Sequence, residues 1–142
     1  MLKSVGVSDA RKKLADYFSD AVYNNKLTLF TRYDKERAFL VGEKLMELLI
    51  DLKVSEKNFE VIKEDDGSYT VHYLSLDLLT NQDSYEEAVD DIVEQAKDYA
   101  VDFLEDIDLY LMDEARRGHL PFIIAIAKAS SDEEIKLLLN DA

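Results

Sequence analysis

Two histidines, no cysteine and 31 acidic residues set the chemistry open to this chain of 142 residues. Neither His72 nor His119 has a second nitrogen or sulfur ligand at zinc-motif spacing, and no glycine-rich loop is placed to cradle a phosphate. His72 alternates against Val71 and Tyr73, as a residue on the open face of a sheet would. Asp90 with Glu94, and Asp98 with Asp102, stand one helical turn apart, the spacing an acid and a base could use. In so acidic a chain such pairs arise by chance and read as a solvated helix face. No enzymatic activity and no cofactor is expected.

The cations are distributed less evenly than the acids. Residues 1–42 hold eight lysines and arginines against five acids, a balance of +3, whereas residues 43–142 hold nine against 26, or −17. Arg11, Lys12 and Lys13 fall in the first turn of a helix capped by Ser8, where the helix dipole favours anions. Cations kept in an unfavourable place suggest a purpose other than stability. Arg32, Lys35 and Arg37 gather in a charged connection a little further on. Segregation of this kind suggests one end that meets an anionic partner and another that avoids it or meets a basic one. The acidic excess argues against sequence-blind nucleic-acid binding by the whole molecule.

The elements that must hold these residues follow from periodicity. Val5–Val7 reads as a short strand, and a helix runs from Ser8 to about Tyr23 through Ala10, Leu14, Phe18 and Val22. Asn24-Asn25 offers turn chemistry. Residues 27–31 and 38–41 form a hairpin around the connection Arg32–Arg37, Gly42 breaks the second strand, and Glu43–Leu52 returns to helical spacing. A module of about fifty residues buries little, so dimerisation is expected to complete its core. Lys53–Asn58 is a polar boundary, dividing the chain into residues 1–52 and 59–142.

Beyond it, Phe59–Glu64 and Tyr69–Leu76 alternate around an Asp-Asp-Gly-Ser turn, with a short third strand at Leu78–Thr80. Ser84 and Glu87 form a capping box for a helix that keeps its period to about Arg117. Gly118 stops it, Pro121 opens a buried helix to Ala129, and a last helix follows Ser130 or Ser131. The fold class is α+β: a small β-α-β-β-α module, then a β-hairpin and a helical C-terminal half. No apolar run reaches membrane-spanning length, no signal core opens the chain, and the lack of cysteine fits a reducing cytoplasm.

The front end resembles the Phd/YefM (prevent-host-death) antitoxins. It carries Val7-Ser8-Asp9-Ala10-Arg11, Leu14, Thr31-Arg32 and Ala38-Phe39-Leu40-Val41 in that family's order, over residues 4 to 52. It departs from the family at Tyr33–Arg37, a longer and more charged connection than the usual turn with glycine. The resemblance implies a homodimer that binds operator DNA and represses its own operon, with Arg11 and Arg32 as operator-contacting arginines. Lys12, Lys13, Lys35 and Arg37 would be phosphate contacts by their chemistry. Residues 59–104 are more faintly similar to HicB-type antitoxins, through Thr80 and Asp83-Ser84-Tyr85-Glu86-Glu87-Ala88. Gln82 replaces the glycine of that pattern.

Either resemblance implies a cognate toxin as partner, of the RelE, YoeB or Doc-like class. Ribonuclease toxins are basic, and Glu86, Glu87, Asp90, Asp91, Glu94, Asp98 and Asp102 form a surface of suitable sign. The regular period of the C-terminal half predicts a folded toxin-binding region, not the disordered tail common in the family. Two other readings stand beside this one: an acidic interaction module without DNA binding, and a nucleic-acid mimic.

Overall fold

The computed structural model describes residue 2, residues 4–54 and residues 59–140. Ser55 to Asn58, in the polar boundary stretch, lie outside them, as does Lys3 of the basic front end. The fold is mixed α+β with two separate three-stranded sheets, and the chain divides into compact units at Met1–Asp51 and Leu52–Ala142.

In the N-terminal unit, β1 (Ser4–Gly6) lies parallel to β2 (Thr28–Arg32), and β2 pairs antiparallel with β3 (Glu36–Leu40). Parallel neighbours need a crossover, supplied by α1 (Val7–Lys12) and α2 (Leu14–Asn24). The expected single helix is therefore two. Lys13 leaves helical geometry (φ −128°, ψ 25°), and its amide closes a tight turn onto Ala10. Ser8 lies inside α1 and caps nothing, because the helix starts one residue earlier, after Gly6. The break also removes the dipole anomaly. Arg11 and Lys12 occupy the last turn of α1, where exposed carbonyls favour cations. Asn25 ends α2 in the left-handed conformation that its amide tolerates (φ 50°).

The hairpin connection is shorter than the sequence suggests. Arg32 pairs with Glu36, leaving only Tyr33, Asp34 and Lys35 as the loop, with Tyr33 and Asp34 both left-handed (φ 53° and 55°). Glu36 and Arg37 thus belong to β3 and not to a long charged loop. Tyr17 of α2 meets Phe30 edge-on at 5.5 Å, and Ala10, Ala21, Thr28 and Ile50 are buried. Gly42, opening α3 (Glu43–Val54), packs directly on the Ala21 carbonyl. Most of the unit's larger apolar side chains remain in water.

The C-terminal unit is filled properly. β4 (Phe59–Lys63), β5 (Tyr69–Tyr73) and β6 (Leu78–Gln82) form an antiparallel meander in that order. Asp66 holds its first turn, accepting from the amide and hydroxyl of Ser68 at 2.9 and 2.6 Å. α4 (Tyr85–Glu105) begins at the expected capping box, with the Glu87 amide donating to Ser84 Oγ at 3.2 Å. Its stripe Ala88, Ile92, Val93, Ala96, Ala100 and Phe103 is buried against β5, β6, α7 (Leu120–Lys128) and α8 (Asp132–Asn140). Each large member of such a core contributes about 1.5–3 kcal/mol.

The predicted long helix to Arg117 breaks at Asp106, giving two short pieces, α5 (Ile107–Leu111) and α6 (Glu114–Arg117). In one straight helix Tyr110 would lie about 10 Å along the axis from Phe103. The break brings the two ring centroids to 4.9 Å. Tyr99 and His119 join this cluster, with the Tyr99 hydroxyl 2.8 Å from Nδ1 of His119 and the Arg116 guanidinium over the Tyr110 ring.

Two outcomes test this architecture. Gly42→Ala forces a Cβ into the Ala21 carbonyl, and overpacking of this kind costs about 1–3 kcal/mol. Chemical denaturation should show the loss. Burial, then the nearby Arg116 charge, holds His119 below its ordinary value of 6.5. The unfolded chain therefore takes up this proton first as pH falls through 6.5, and stability present above that pH declines below it. The fall in melting temperature between pH 7.5 and pH 5.5 should be smaller in His119→Gln than in wild type. An equal fall would exclude a role for His119.

Candidate functional site

The cations singled out by the sequence are all exposed, but they do not share one surface feature. Arg32 and Arg37 line a shallow depression of about 190 Å³ together with Val7, Phe30, Glu36 and Ala38. Arg11 follows Val7 by four residues in α1, which places it on the same helix face as that rim. Arg32 and Arg37 thus share the depression, and Arg11 stands one helical turn beyond its rim. Lys12 and Lys13 instead line a different cleft, of about 770 Å³, with Asp9, Tyr17 and Lys26. Lys35 sits in the hairpin loop.

Arg32 is not a free charge. It is ion-paired and hydrogen-bonded to Glu36, its cross-strand partner, and stands 5.6 Å from the centroid of Tyr33. The hydrogen bond from Arg32 holds the Glu36 carboxyl below the usual carboxylate range and the guanidinium above its own. Both groups are in water, so the pair orients the arginine more than it stabilises the fold. A phosphate or a base edge would have to displace Glu36. Lys26, outside the motifs singled out above, belongs with Lys12 and Lys13. Only the approach of the β2 entry to α1 reveals that grouping.

The acidic residues of α4 divide by what they already hold. Asp90 pairs with Lys136 of α8 at 2.7 Å, and Glu94 with Lys97, which also reaches Asp132 at 3.0 Å. Asp91 is half-buried. Hydrogen bonds from Thr80 and Gln95 keep its carboxyl ionised below the ordinary range, the Gln95 amide donating at 2.8 Å. Glu87 closes the capping box. Glu86, Asp98 and Asp102 are exposed. Two of the seven acids read from the sequence, Asp90 and Asp91, therefore join α4 to its neighbours, Glu87 and Glu94 have partners next to them in the chain, and Glu86, Asp98 and Asp102 are the part open to a partner.

His72 lies on the open face of the meander as expected, its Nε2 3.0 Å from Asp77. Among the described residues, no group of three or more histidines and acids is arranged to hold a metal ion. None of their helices is long and apolar enough to cross a membrane.

A sheet crossed over by a cation-bearing helix, followed by a meander under a long acidic helix, defines a class as well as a geometry. The chain belongs to the PHD_like family, described as "Antitoxin of toxin-antitoxin, RelE / RelB, TA system", whose profile matches residues 1–141. It is thus an antitoxin by family, and a cognate toxin is the partner such a protein has. A crystal structure described as the antitoxin part of a candidate toxin/antitoxin system, from Syntrophomonas wolfei subsp. wolfei, has the same fold. Its TM-score is 0.79 at 23% identity, covering 95% of this chain and 94% of that one. No curated protein matches the chain.

Proposed function

We propose that the protein is a Phd/YefM-like antitoxin that binds its operator as a homodimer and neutralises a ribonuclease-type toxin with its C-terminal unit. The observation that carries the dimer is α2. Leu14, Phe18 and Val22 recur at helical spacing and are 56%, 60% and 43% exposed, beside a core whose buried members, Ile50 apart, are small. An apolar stripe on a fifty-residue unit is what a second copy would cover. Operator binding is supported by Arg32 and Arg37 in one depression beside the start of α1, with Arg11 a turn further along that helix and Lys12, Lys13 and Lys35 as phosphate contacts. A two-fold axis would repeat this set along a duplex and match it to a palindromic site.

Toxin binding is assigned to the acidic half, where Glu86, Asp98 and Asp102 are exposed and Glu87, Asp90, Asp91 and Glu94 continue the same helix. Its sign suits an RNA-binding enzyme, and opposite charge accelerates encounter and excludes wrong partners.

Gel shift on the DNA upstream of the gene tests the first half of the proposal. Arg11→Ala and Arg32→Ala should each weaken binding by about 1–3 kcal/mol if they read bases. Lys12→Ala with Lys13→Ala should instead flatten the salt dependence. A wild-type chain that ignores this DNA, alone or with toxin, would leave the acidic interaction module as the better reading. Phe18→Glu should convert the dimer to monomer in sedimentation velocity and abolish the shift. A dimer that survives it places the two-fold contact elsewhere.

A further inference from the structure

The second half of α4 carries a feature that neither the acidic surface nor the operator site uses. Between it and the α7–α8 corner runs a groove of about 420 Å³, whose walls include Ala100, Val101, Leu104, Ile126 and Ile135. Val101 and Leu104 are 55% and 42% exposed, too open for core positions on a helix whose buried stripe is complete without them. Lys97 and Asp132, bonded to each other at 3.0 Å, also line the groove, so the one cation in its lining is already neutralised. Asp98, Asp102 and Glu105 stand exposed on the adjoining face of α4. The three helices that wall the groove carry eleven acids against three lysines.

We propose that this groove is the docking site for an amphipathic segment of the toxin, apolar along one side and flanked by lysine or arginine. The inference rests on the toxin-binding reading above and narrows it from a charged helix face to a defined cleft. The apolar walls supply burial, which the acidic face alone cannot, and the acidic rim selects a basic segment. Complexes of this type take their affinity from a few desolvated apolar anchors and their specificity from the charged border. A second copy of this chain is a poor occupant. Two such faces brought together would set Asp98, Asp102 and Glu105 of one copy against the same three of the other, and like charges so placed repel.

The test uses the full chain and, as probe, the protein encoded beside its gene, disabled for catalysis and measured by calorimetry. Wild type should bind. Val101→Ser with Leu104→Ser should weaken binding at least tenfold, while Ile62→Ser, equally exposed on β4, should not. Asp98→Lys with Asp102→Lys should weaken binding tenfold at low salt and less at high salt. Circular dichroism melts check that each variant folds. Because the altered side chains are exposed, melting temperatures should stay close to wild type. A wild-type complex that survives both double substitutions overturns the groove but leaves the toxin-binding reading standing. No complex with wild type overturns that reading and the groove with it. A shift in the chain's own sedimentation on Val101→Ser with Leu104→Ser would mean that a second copy fills the cleft, which also overturns the proposal.

Discussion

Burial of one stripe of α4, from Ala88 to Phe103, is the interaction on which the C-terminal unit depends, because every other element of that unit's core packs on it. Strand β5 supplies Val71 and Tyr73, β6 adds Leu78, and α7 and α8 supply Phe122, Ile123, Ile126, Ile135 and Leu139. Tyr73 lies so deep that desolvation pushes its phenol up to about 12. A helix with one face in the core has the rest of its circumference free for charge, and α4 fills that remainder with carboxylates. The acidic surface is thus compatible with the fold at little cost. Lys97 and Lys136 relieve its repulsion where α8 comes close.

The N-terminal unit solves the opposite problem. Its crossover and hairpin bring backbone close to backbone, Gly42 against Ala21 above all, so what it buries is small. Its larger side chains, Leu14, Phe18, Phe39, Leu48 and Leu49 among them, face water. A unit built in this way keeps its surface apolar where its core is thin. The same compactness sets the start of α1 beside the β2–β3 hairpin, which is why Val7 shares a depression with Arg32 and Arg37. Charge follows architecture in both units: cations where backbone turns concentrate, acids along one long solvated helix.

The break at Lys13 and the break at Asp106 have related physical origins. Each replaces a longer helix, which periodicity alone favours, by a bend that improves packing elsewhere. At Lys13 the bend divides the crossover and leaves Arg11 and Lys12 at a carbonyl end that suits them. At Asp106 it folds Tyr110 back onto Phe103 and Tyr99, closing the core around His119. Neither bend has a glycine or proline to announce it. The signal is tertiary, and a pattern of apolar residues at helical spacing continues straight through both sites.

Much of the element order was legible from residue types: the Asn25 stop, the Asp66–Gly67 turn, the Ser84 capping box, and Pro121 at a helix start all act through neighbours a few residues away. The segregation of charge was legible for the same reason, being a property of composition along the chain. Partition of that charge was not. Which acids are already paired, that Lys26 joins Lys12 and Lys13, that Arg32 is held by Glu36, and that Val101 and Leu104 border a groove all depend on distances between separate elements. Sequence by itself determined the local grammar and the sign of each half, because those are short-range properties. Tertiary structure decided which charges and apolar side chains remain available to a partner, because availability is what is left after the chain has packed against itself.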